Sequence, residues 1–371
     1  MDKKIKVLLV LPNLFGGGAE RVFTYLVNHI DREQFKPYLA LGAKTGAYLN
    51  DIRGDVTVYE LKGERARNVI PSLLKLVRQL RPDVVFSTVG MNSANSLGRM
   101  FYPRGTRIVL REGSSVTAYL KDVARKSPAT ALIYRKFYKS LYNFPDAVIC
   151  QSDYMLRDMV ANLGVSEKIL YRIYNPVDFD KIEKILQEDS GKLFSDNVFN
   201  FLMVGNLVHC KGYDIMLPAF AKVRQQNRNV SLTILGEGEE RRNLEILIDK
   251  LNLNESVRMP GFAKNPYIYA KQADVFVSSS RYEGFSNAIV ESLACGTPVV
   301  ATDCPSAIRE VLREGENGWL AKTEDETSLT ETMLKAIEET KNLDAKEIRS
   351  DCKSRFGIEN ILPLYEKLLT P

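Results

Sequence analysis

The feature that most constrains the fold of this chain is a repeated alternation of short apolar segments with amphipathic ones. Ile5–Leu11 is a continuous apolar run of strand length, and a glycine-containing loop separates it from a helical pattern over residues 19–30. Strands that are apolar on both faces and alternate with helices are typical of a parallel sheet covered by helices on both sides. The sequence therefore predicts an α/β fold built on parallel sheets.

The alternation runs through the chain twice, with a pause near the middle. The first half predicts further strands at residues 38–41, 56–61, 83–88, 107–110 and 147–151, and helices at residues 69–80, 117–142 and 154–163. The pattern pauses at residues 174–178 and resumes with strands at residues 199–204, 231–235, 274–278 and 298–301. We therefore expect two Rossmann-like domains over residues 1–176 and 177–355, with a ligand cleft between the carboxyl ends of their strands.

The composition excludes several classes of protein. Apolar residues make up 45% of the chain and charged residues 26%, which are ordinary values for a globular protein. No apolar run approaches the roughly 20 residues that span a bilayer, so we expect neither a membrane anchor nor a secretory signal. Five scattered cysteines and two histidines argue against a disulfide framework, a zinc ribbon or a multi-histidine metal centre. The sequence thus predicts a cytoplasmic protein without a metal site.

The positive charges of the chain are concentrated in its first half. Residues 1–180 contain 27 Lys and Arg against 17 Asp and Glu, whereas residues 181–371 contain 24 against 29. This balance favours an anionic partner for the first half. Nucleic acid, a phospholipid surface and a diphosphate-bearing substrate all fit it.

A basic and aromatic stretch between Arg99 and Tyr142 contributes most of this positive excess. Ten Lys and Arg are set there against Glu112 and Asp122. Aromatic residues are interleaved with them at Tyr119, Tyr134, Phe137, Tyr138 and Tyr142. A helix of this composition fits an anionic membrane surface, although a solvated helix whose aromatic residues pack on the sheet has the same composition.

A glycine loop at residues 16–18 lies between the first predicted strand and the first predicted helix. Glycines let the backbone approach a ligand, and amides at the start of a helix attract phosphate. The spacing is not G-x-G-x-x-G, and no acidic residue clearly ends the second strand, so a nicotinamide dinucleotide is disfavoured as a cofactor. The alternative is that these glycines serve only to form a tight turn.

The most specific segment is residues 281–291, which reads RYEGFSNAIVE and follows an apolar strand. If a helix begins near Phe285, Glu283 lies at its positive end and Glu291 lies about two turns along it. Amides at the helix start would then contact the phosphates of a sugar diphosphate, while the carboxylates accept hydrogen bonds from hydroxyl groups. These amides belong to Ser286, Asn287 and Ala288. The alternative is a loop acid followed by a solvated acid on a helix.

In this context the sequence resembles the retaining glycosyltransferases of the GT-B fold, family 4, over nearly the whole chain. Their signature Glu-x7-Glu is met by Glu283 and Glu291. Other family features occur in order at residues 16–18, 175–178, 204–205, 211–212, 235–238, 260–261 and 296–302. The resemblance implies a first domain that binds the acceptor and a second that binds the nucleotide sugar. It also implies a C-terminal helix over residues 356–371 that packs back towards the first domain.

The resemblance also implies roles for individual residues. Lys211 would contact the donor diphosphate, Glu291 the nucleotide ribose and Glu283 the donor sugar, with Gly17 opposite them across the cleft. Backbone amides of Phe285, Ser286, Asn287 and Ala288 would hold the sugar and the phosphate. Lys211 and the helix N-terminus would stabilise the leaving diphosphate without a metal or cofactor, and attack and departure on one face would retain the anomeric configuration. Lys211 and Glu283 are therefore the predicted catalytic residues.

Two positions depart from the family pattern. An arginine often follows the glycine of the Val-Gly strand end, where this chain has Asn206, so that Lys211, a cation such as Arg258, or the helix end must balance the phosphate charge. Many members have a histidine after the middle strand of the first domain, where this chain has Arg111 and Glu112. We expect Asn206 in the donor site, and we place Arg111 and Glu112 at an acceptor or sugar pocket.

Together these patterns predict a hexosyltransferase. It would move a hexose or N-acetylhexosamine from a nucleotide sugar, with UDP as the favoured nucleotide, to a polyprenyl-diphosphate-linked glycan. That acceptor places it at the inner face of the cytoplasmic membrane, in the assembly of lipopolysaccharide or capsule. A GT-B nucleotide-sugar epimerase, an NAD-dependent oxidoreductase and a non-enzymatic binding protein are the alternatives. Nucleic acid is not expected as a partner, because it fits the donor-site motifs badly.

Overall fold

The computed structural model describes residues 3–63, 65–188 and 191–371, the side chain of Lys126 excepted. The chain divides into two units. The first runs to Pro176 and includes Ile358–Pro371, and the second is Val177–Gly357. Each unit contains a parallel sheet accompanied by helices, which confirms the predicted α/β fold with two Rossmann-like sheets.

The described part of the first unit contains seven strands, β1 (Ile5–Leu11), β2 (Phe35–Leu41), β3 (Thr57–Glu60), β4 (Val84–Thr88), β5 (Arg107–Arg111), β6 (Ala147–Cys150) and β7 (Leu170–Arg172). They form a parallel sheet in the order β3-β2-β1-β4-β5-β6-β7. The accompanying helices are α1 (Gly18–His29), α2 (Ala66–Leu80), α3 (Asn92–Gly98), α4 (Val116–Lys126), α5 (Pro128–Leu141) and α6 (Asp153–Leu163). The last helix of the chain, α15 (Ile358–Leu369), also belongs to this unit.

The side chains of β1 show why this sheet is covered on both faces. Leu9 and Leu11 belong to a buried cluster with side chains of α1 and α15. Leu8 and Val10 belong to a second buried cluster, with side chains of α2. Successive side chains of a strand point to opposite faces, so a central strand that is covered on both sides must be apolar throughout.

The described part of the second unit contains six strands, β8 (Phe199–Val204), β9 (Val230–Leu235), β10 (Val257–Gly261), β11 (Val275–Ser278), β12 (Val299–Thr302) and β13 (Gly318–Ala321). They form a parallel sheet in the order β10-β9-β8-β11-β12-β13. The accompanying helices are α7 (Phe179–Gln187), α8 (Tyr213–Gln226), α9 (Arg241–Lys250), α10 (Tyr267–Gln272), α11 (Asn287–Ala294), α12 (Ile308–Val311), α13 (Glu326–Glu339) and α14 (Ala345–Phe356).

In both sheets the direction of strand addition reverses next to the first strand. The chain leaves β1 towards β2 on one side and leaves β4 towards β5 on the other, so the loops after β1 and β4 diverge. The loops after β8 and β11 diverge in the same way. Ligands of doubly wound sheets bind in the crevice that such a reversal leaves at the carboxyl ends of the strands.

Two predicted helices differ from the structure. The single helix predicted over residues 117–142 is wrong, because Ser127 separates α4, which ends at Lys126, from α5, which begins at Pro128. Pro128 disfavours helical backbone at the residue before it, and Ser127 is extended, with φ −157° and ψ 100°. The hydroxyl of Ser127 then accepts a hydrogen bond from the amide of Thr130 and starts α5. The helix predicted to begin near Phe285 begins at Asn287.

Three strands lie outside the sequence prediction, namely β7, β10 and β13. All three are at the edges of their sheets.

Within the part of the chain that the structure describes, no helix combines the length and the apolar character needed to cross a bilayer.

Candidate active site

Two charged side chains meet at the crevice of the second sheet. Lys211 ends the short turn His209–Lys211 after β8, and Glu283 lies in the loop between β11 and α11. Nζ of Lys211 donates a hydrogen bond to Oε1 of Glu283, and the two groups form an ion pair. The Lys211 side chain is 23% exposed and the Glu283 side chain 15%, so both lie largely out of water. The structure thus brings together the two residues that the sequence predicts as catalytic.

Gly212 and two serines hold the loops of this ion pair together. Gly212 has φ 66°, and a Cβ atom there would overlap the carbonyl oxygen of Ser279, so glycine permits the close approach. Ser279 donates from Oγ to the carbonyl oxygen of Lys211 at 2.9 Å. Ser280 donates from Oγ to Oε1 of Glu283 at 2.9 Å. Neither serine is among the predicted site residues, although polar residues directly after an apolar strand are a signal for this position.

Arg281 joins three further segments to the same loops. Its guanidinium donates to both carboxylate oxygens of Asp214 at 2.8 Å, to Glu324 at 3.0 Å and to the carbonyl oxygen of His209 at 2.8 Å. Burial on its own raises the pKa of Asp214, but the hydrogen bonds and charge of Arg281 outweigh it and lower that pKa below its usual value. Arg281 thus braces the loops that carry the ion pair, and it is not among the predicted site residues.

Glu283 keeps the Lys211 side chain protonated. Burial on its own lowers the pKa of Lys211, because water no longer solvates the ammonium. The charge and hydrogen bond of Glu283 act in the opposite direction and prevail, so the pKa of Lys211 is raised above its usual value. Arg258, the other cation that the sequence suggests, lies on the edge strand β10 against the ring of Phe194. The site therefore holds the charged ammonium of Lys211 beside its counter-ion Glu283. An anionic ligand can take the place of Glu283 as the partner of Lys211.

The N-terminus of α11 follows Glu283 closely in the chain. Ser286 is the N-cap residue, and the first turn begins with Asn287 and Ala288. Amides of a first turn point out of the helix and, together with the helix dipole, favour an anion. Phe285 precedes the helix, and its buried ring packs on Phe356 with the ring centroids 5.6 Å apart. Its predicted contact with a donor would therefore involve the backbone.

The remaining predicted donor residues lie at different depths. A cavity of about 10 Å³, close to the space that one water needs, is lined by residues that include Glu283 and Ser286 but not Glu291. Glu291 is 8% exposed within α11, whereas Asn206 is exposed in the loop after β8. In the described part of the chain, no three His, Cys, Asp or Glu side chains are grouped as metal ligands.

The glycine loop of the first unit holds a carboxylate of the chain itself. Gly17 is the N-cap residue of α1, and a Cβ atom there would overlap Oε2 of Glu20. Burial raises the pKa of Glu20, while hydrogen bonds from the amides of Glu20 and Gly17 and the charge of Arg111 oppose the rise. The Glu20 side chain is flexible and can move aside, so this contact does not by itself require glycine at position 17, and a role of Gly17 towards a donor stays a prediction.

Arg111 and Glu112, which the sequence analysis assigns to one pocket, have different surroundings. The Arg111 side chain is buried and donates to Oδ1 of Asn175 at 2.5 Å and to Oγ1 of Thr88 at 3.2 Å. Glu112 lines a cavity of about 260 Å³ in the first unit, whose lining does not include Arg111. Arg111 thus fixes the last residues of the first unit before Pro176, and Glu112 contacts the cavity.

Two family models match the chain. The model described as Glycosyltransferase Family 4 matches residues 16–181. The model described as Glycosyl transferases group 1 matches residues 184–353, which include the ion pair of Lys211 and Glu283.

Similar proteins include the N-acetylgalactosamine-N,N'-diacetylbacillosaminyl-diphospho-undecaprenol 4-alpha-N-acetylgalactosaminyltransferase of Campylobacter jejuni. It is 32% identical over 269 residues, which are 72% of this chain and 70% of that protein. The lipopolysaccharide core biosynthesis glycosyltransferase LpsE of Rhizobium meliloti is 27% identical over 329 residues, 87% of this chain and 85% of that protein. The crystal structure of Anabaena HepE in complex with UDP-glucose has the same fold, with a TM-score of 0.79 at 20% identity over 99% of both chains.

Proposed function

Because the chain belongs to the GT-B glycosyltransferases of family 4, we propose that it transfers a hexose or an N-acetylhexosamine from a UDP-sugar. The proposed acceptor is a polyprenyl-diphosphate-linked glycan, and the anomeric configuration is retained. The observation that carries the proposal is the ion pair of Lys211 and Glu283 beside the start of α11, at the crevice of the second sheet.

This ion pair supports the departure of a nucleoside diphosphate. When the bond between the sugar C1 and the diphosphate oxygen breaks, negative charge builds on the phosphate, and a positioned cation and a helix N-terminus stabilise it. Lys211 then breaks its ion pair with Glu283 and binds the phosphate instead. The first-turn amides of α11 contact the diphosphate. Glu283, held by Ser280, accepts a hydrogen bond from a hydroxyl of the donor sugar. Glu291 binds the ribose in this proposal, and the charge compensation requires no metal ion.

Retention follows if attack and departure use the same face of the sugar. The acceptor oxygen forms its bond to C1 while the bond from C1 to the diphosphate oxygen breaks, and the hydroxyl proton passes to the leaving phosphate. This route needs no nucleophilic side chain, so the role of Glu283 is to bind the sugar.

The exposed surface of α5 supports a membrane-bound acceptor. Leu132, Ile133 and Phe137 are 57%, 65% and 44% exposed. Exposed basic residues of the same helix are Arg135, Lys136 and Lys139. Apolar side chains and basic ones both gain at an anionic interface, with about 1 kcal/mol for each basic residue. The name of the C. jejuni relative specifies a diphospho-undecaprenol-linked acceptor for that protein. We propose an acceptor of this class here, used in lipopolysaccharide or capsule assembly at the inner face of the cytoplasmic membrane.

Transfer from a panel of nucleotide sugars to a short-chain polyprenyl-diphosphate glycan tests this proposal. We expect labelled sugar to pass from a UDP-sugar to the acceptor, and NMR of the product to show a retained anomeric configuration. Lys211→Ala should lower kcat by about 100-fold or more, since the lost group stabilises charge that develops in the transition state. Lys222→Ala is the matched control, because this lysine forms an exposed ion pair with Glu326 in the same unit and should keep wild-type activity.

Three results would contradict parts of the proposal. Transfer from GDP-sugars or ADP-sugars but not from UDP-sugars would exclude the nucleotide, and an inverted product would exclude the stereochemistry. Conversion of one UDP-sugar into another without an acceptor would favour the epimerase alternative.

A further inference from the structure

A cavity in the first unit lies at the carboxyl ends of β4 and β5. Its volume is about 260 Å³, slightly below the roughly 300–1,000 Å³ that is typical of pockets for drug-sized molecules. A cavity of that size suits a ligand with a single ring better than a ligand made of several linked rings. Polar and aromatic side chains that line it are Asn92, Ser93, Glu112, Ser114, Tyr119, Phe137 and Tyr138.

A buried carboxylate gives this cavity its polar chemistry. Glu112 is 9% exposed, and it accepts a hydrogen bond from Nδ2 of Asn92 at 2.8 Å. The hydroxyl of Tyr142 lies beside the same carboxyl group. A carboxylate offers about four acceptor positions, so the contacts from Asn92 and Tyr142 leave room for hydroxyl groups of a ligand. A buried carboxylate is costly when it lacks hydrogen bonds, which favours a ligand that donates them.

Aromatic side chains give the rim of the cavity its apolar surface. Tyr119 of α4 is 39% exposed and Phe137 of α5 is 44% exposed, so both rings are accessible as well as part of the lining. Large aromatic rings present a flat apolar face with a negative potential, which suits the C–H face of a sugar ring. A lining that combines carboxylate, amide and hydroxyl groups with aromatic rings therefore matches a pyranose with free hydroxyls.

We propose that this cavity binds the terminal sugar of the acceptor glycan and selects an uncharged ring. The inference rests on the proposed function, because it concerns the acceptor of that same transfer. Hydroxyls of the sugar donate to Glu112, and the rings of Tyr119 and Phe137 cover its apolar face. A hexuronic acid would bring a second carboxylate beside Glu112, and two like charges at one site are unfavourable. The charge of Arg111 acts on Glu112, but its guanidinium donates to Asn175 and Thr88 and does not line the cavity, so it is not placed to pair with a carboxylate of the ligand.

Phe137 links this cavity to the surface proposed for membrane contact. Ile133 lies four residues before Phe137 on α5, so the two side chains share one face of the helix. Phe137 thus belongs both to the rim of the cavity and to the exposed apolar surface. An acceptor whose lipid stays in the membrane would present its terminal sugar next to this helix.

Kinetics with two matched acceptors test the inference. Both carry a short polyprenyl diphosphate, and the terminal sugar is an N-acetylhexosamine in one and a hexuronic acid in the other. Glu112→Gln should raise the KM for the uncharged acceptor about tenfold or more, and should reduce the preference in kcat/KM for the uncharged acceptor by a similar factor. The donor KM should stay at the wild-type value, because the donor site is in the second unit.

Two tyrosine variants complete the design. Tyr119→Ala changes an exposed residue and should raise the KM for both acceptors several-fold without changing their ratio. Tyr171→Ala is the matched control, since this tyrosine is 38% exposed on β7 and does not line the cavity. It should behave as wild type.

These results distinguish a failure of the inference about the cavity from a failure of the proposed function. If wild type transfers sugar but Glu112→Gln and Tyr119→Ala keep its acceptor KM and its preference, the inference is overturned and the proposed function stands. If wild type transfers sugar to neither acceptor, the proposed function fails and the inference fails with it.

Discussion

Glu112 is a carboxyl group that the fold places in surroundings poor in water. Burial raises its pKa above the ordinary value of 4.5, against the opposing effects of the nearby Tyr142 hydroxyl, the hydrogen bond from Asn92 and the charge of Arg111. A carboxyl group with a raised native pKa binds its proton more tightly in the native state than in the unfolded state. Its contribution to stability is therefore complete below the unfolded pKa and is lost as the pH rises through the native one.

We therefore expect Glu112→Gln to gain stability relative to wild type as the pH rises above about 4.5. The glutamine cannot ionise, so it avoids the cost of a buried charge that wild type incurs at higher pH. Thermal unfolding of both proteins in steps from about pH 4 to about pH 9 measures the difference in Tm. A difference that stays constant over this range would show that the native state does not raise the pKa of Glu112.

Single residues also show how far the sequence can identify a site. The roles of Lys211 and Glu283 are predicted through the family resemblance, because each residue lies in one of the short motifs that carry it. The role of Arg281 is not predicted, since it depends on Asp214, which is distant in sequence and meets it through the fold. The assignment of Arg111 and Glu112 to one pocket overlooks a signal in the sequence. Successive side chains at a strand end point to opposite sides, so two neighbours rarely line the same pocket.

At the level of elements, the turn after β9 is packed tightly against the turn after β8. Gly236 has φ 147°, and a Cβ atom there would overlap the carbonyl oxygen of Gly205. Gly205 directly follows β8 and begins the loop that leads to Lys211. Backbone atoms cannot move aside as a flexible side chain can, so a larger residue at position 236 must displace the β8 loop.

We expect Gly236→Ala to destabilise the second unit by about 2–4 kcal/mol, through backbone strain and overpacking combined. Gly315→Ala is the matched control, because Gly315 also has a positive φ, 79°, but a Cβ atom there meets nothing within 4 Å. Strain alone should cost the control about 1–2 kcal/mol. Denaturant unfolding compares the two variants, and equal losses would refute the close contact at Gly236.

Elements differ in how well the sequence predicts them. The interior strands β1, β4, β8 and β11 are apolar on both faces, and their patterns identify them. The edge strands β7 and β10 carry weaker patterns, because an edge strand has a sheet neighbour on one side only and tolerates polar residues and proline, whereas the edge strand β13 is apolar but only four residues long. β10 contains Arg258 and Pro260, which disguise it as a loop. The break between α4 and α5 was predictable from the proline at position 128.

At the scale of the whole molecule, the chain passes from one unit to the other twice. It enters the second unit at Val177 and returns to the first at Ile358. The ion pair of Lys211 and Glu283 belongs to the second unit and the Glu112 cavity to the first. The sequence predicts this division from the repeated alternation. The return of the last helix to the first unit is implied only by the family resemblance, because the sequence of that helix shows an apolar face but not what the face covers.

The packing of α15 makes the core of the first unit depend on the last residues of the chain. Leu368 is 6% exposed and belongs to the same buried cluster as side chains of β1, whereas Leu364 on the same helix is 46% exposed. Leu368→Ala should destabilise the first unit by about 2–5 kcal/mol, because it leaves a cavity in this core. Leu364→Ala should change its stability by at most about 0.5 kcal/mol.

Thermal unfolding of both variants, with and without UDP, checks this dependence. UDP at about 100 times its Kd should stabilise the second unit by about 2.7 kcal/mol in wild type. Leu368→Ala should keep UDP binding, measured by calorimetry below its unfolding temperature, because the altered core is in the other unit. Equal losses for Leu368→Ala and Leu364→Ala would refute the packing of α15, whereas loss of UDP binding in Leu368→Ala alone would show that the second unit depends on this helix as well.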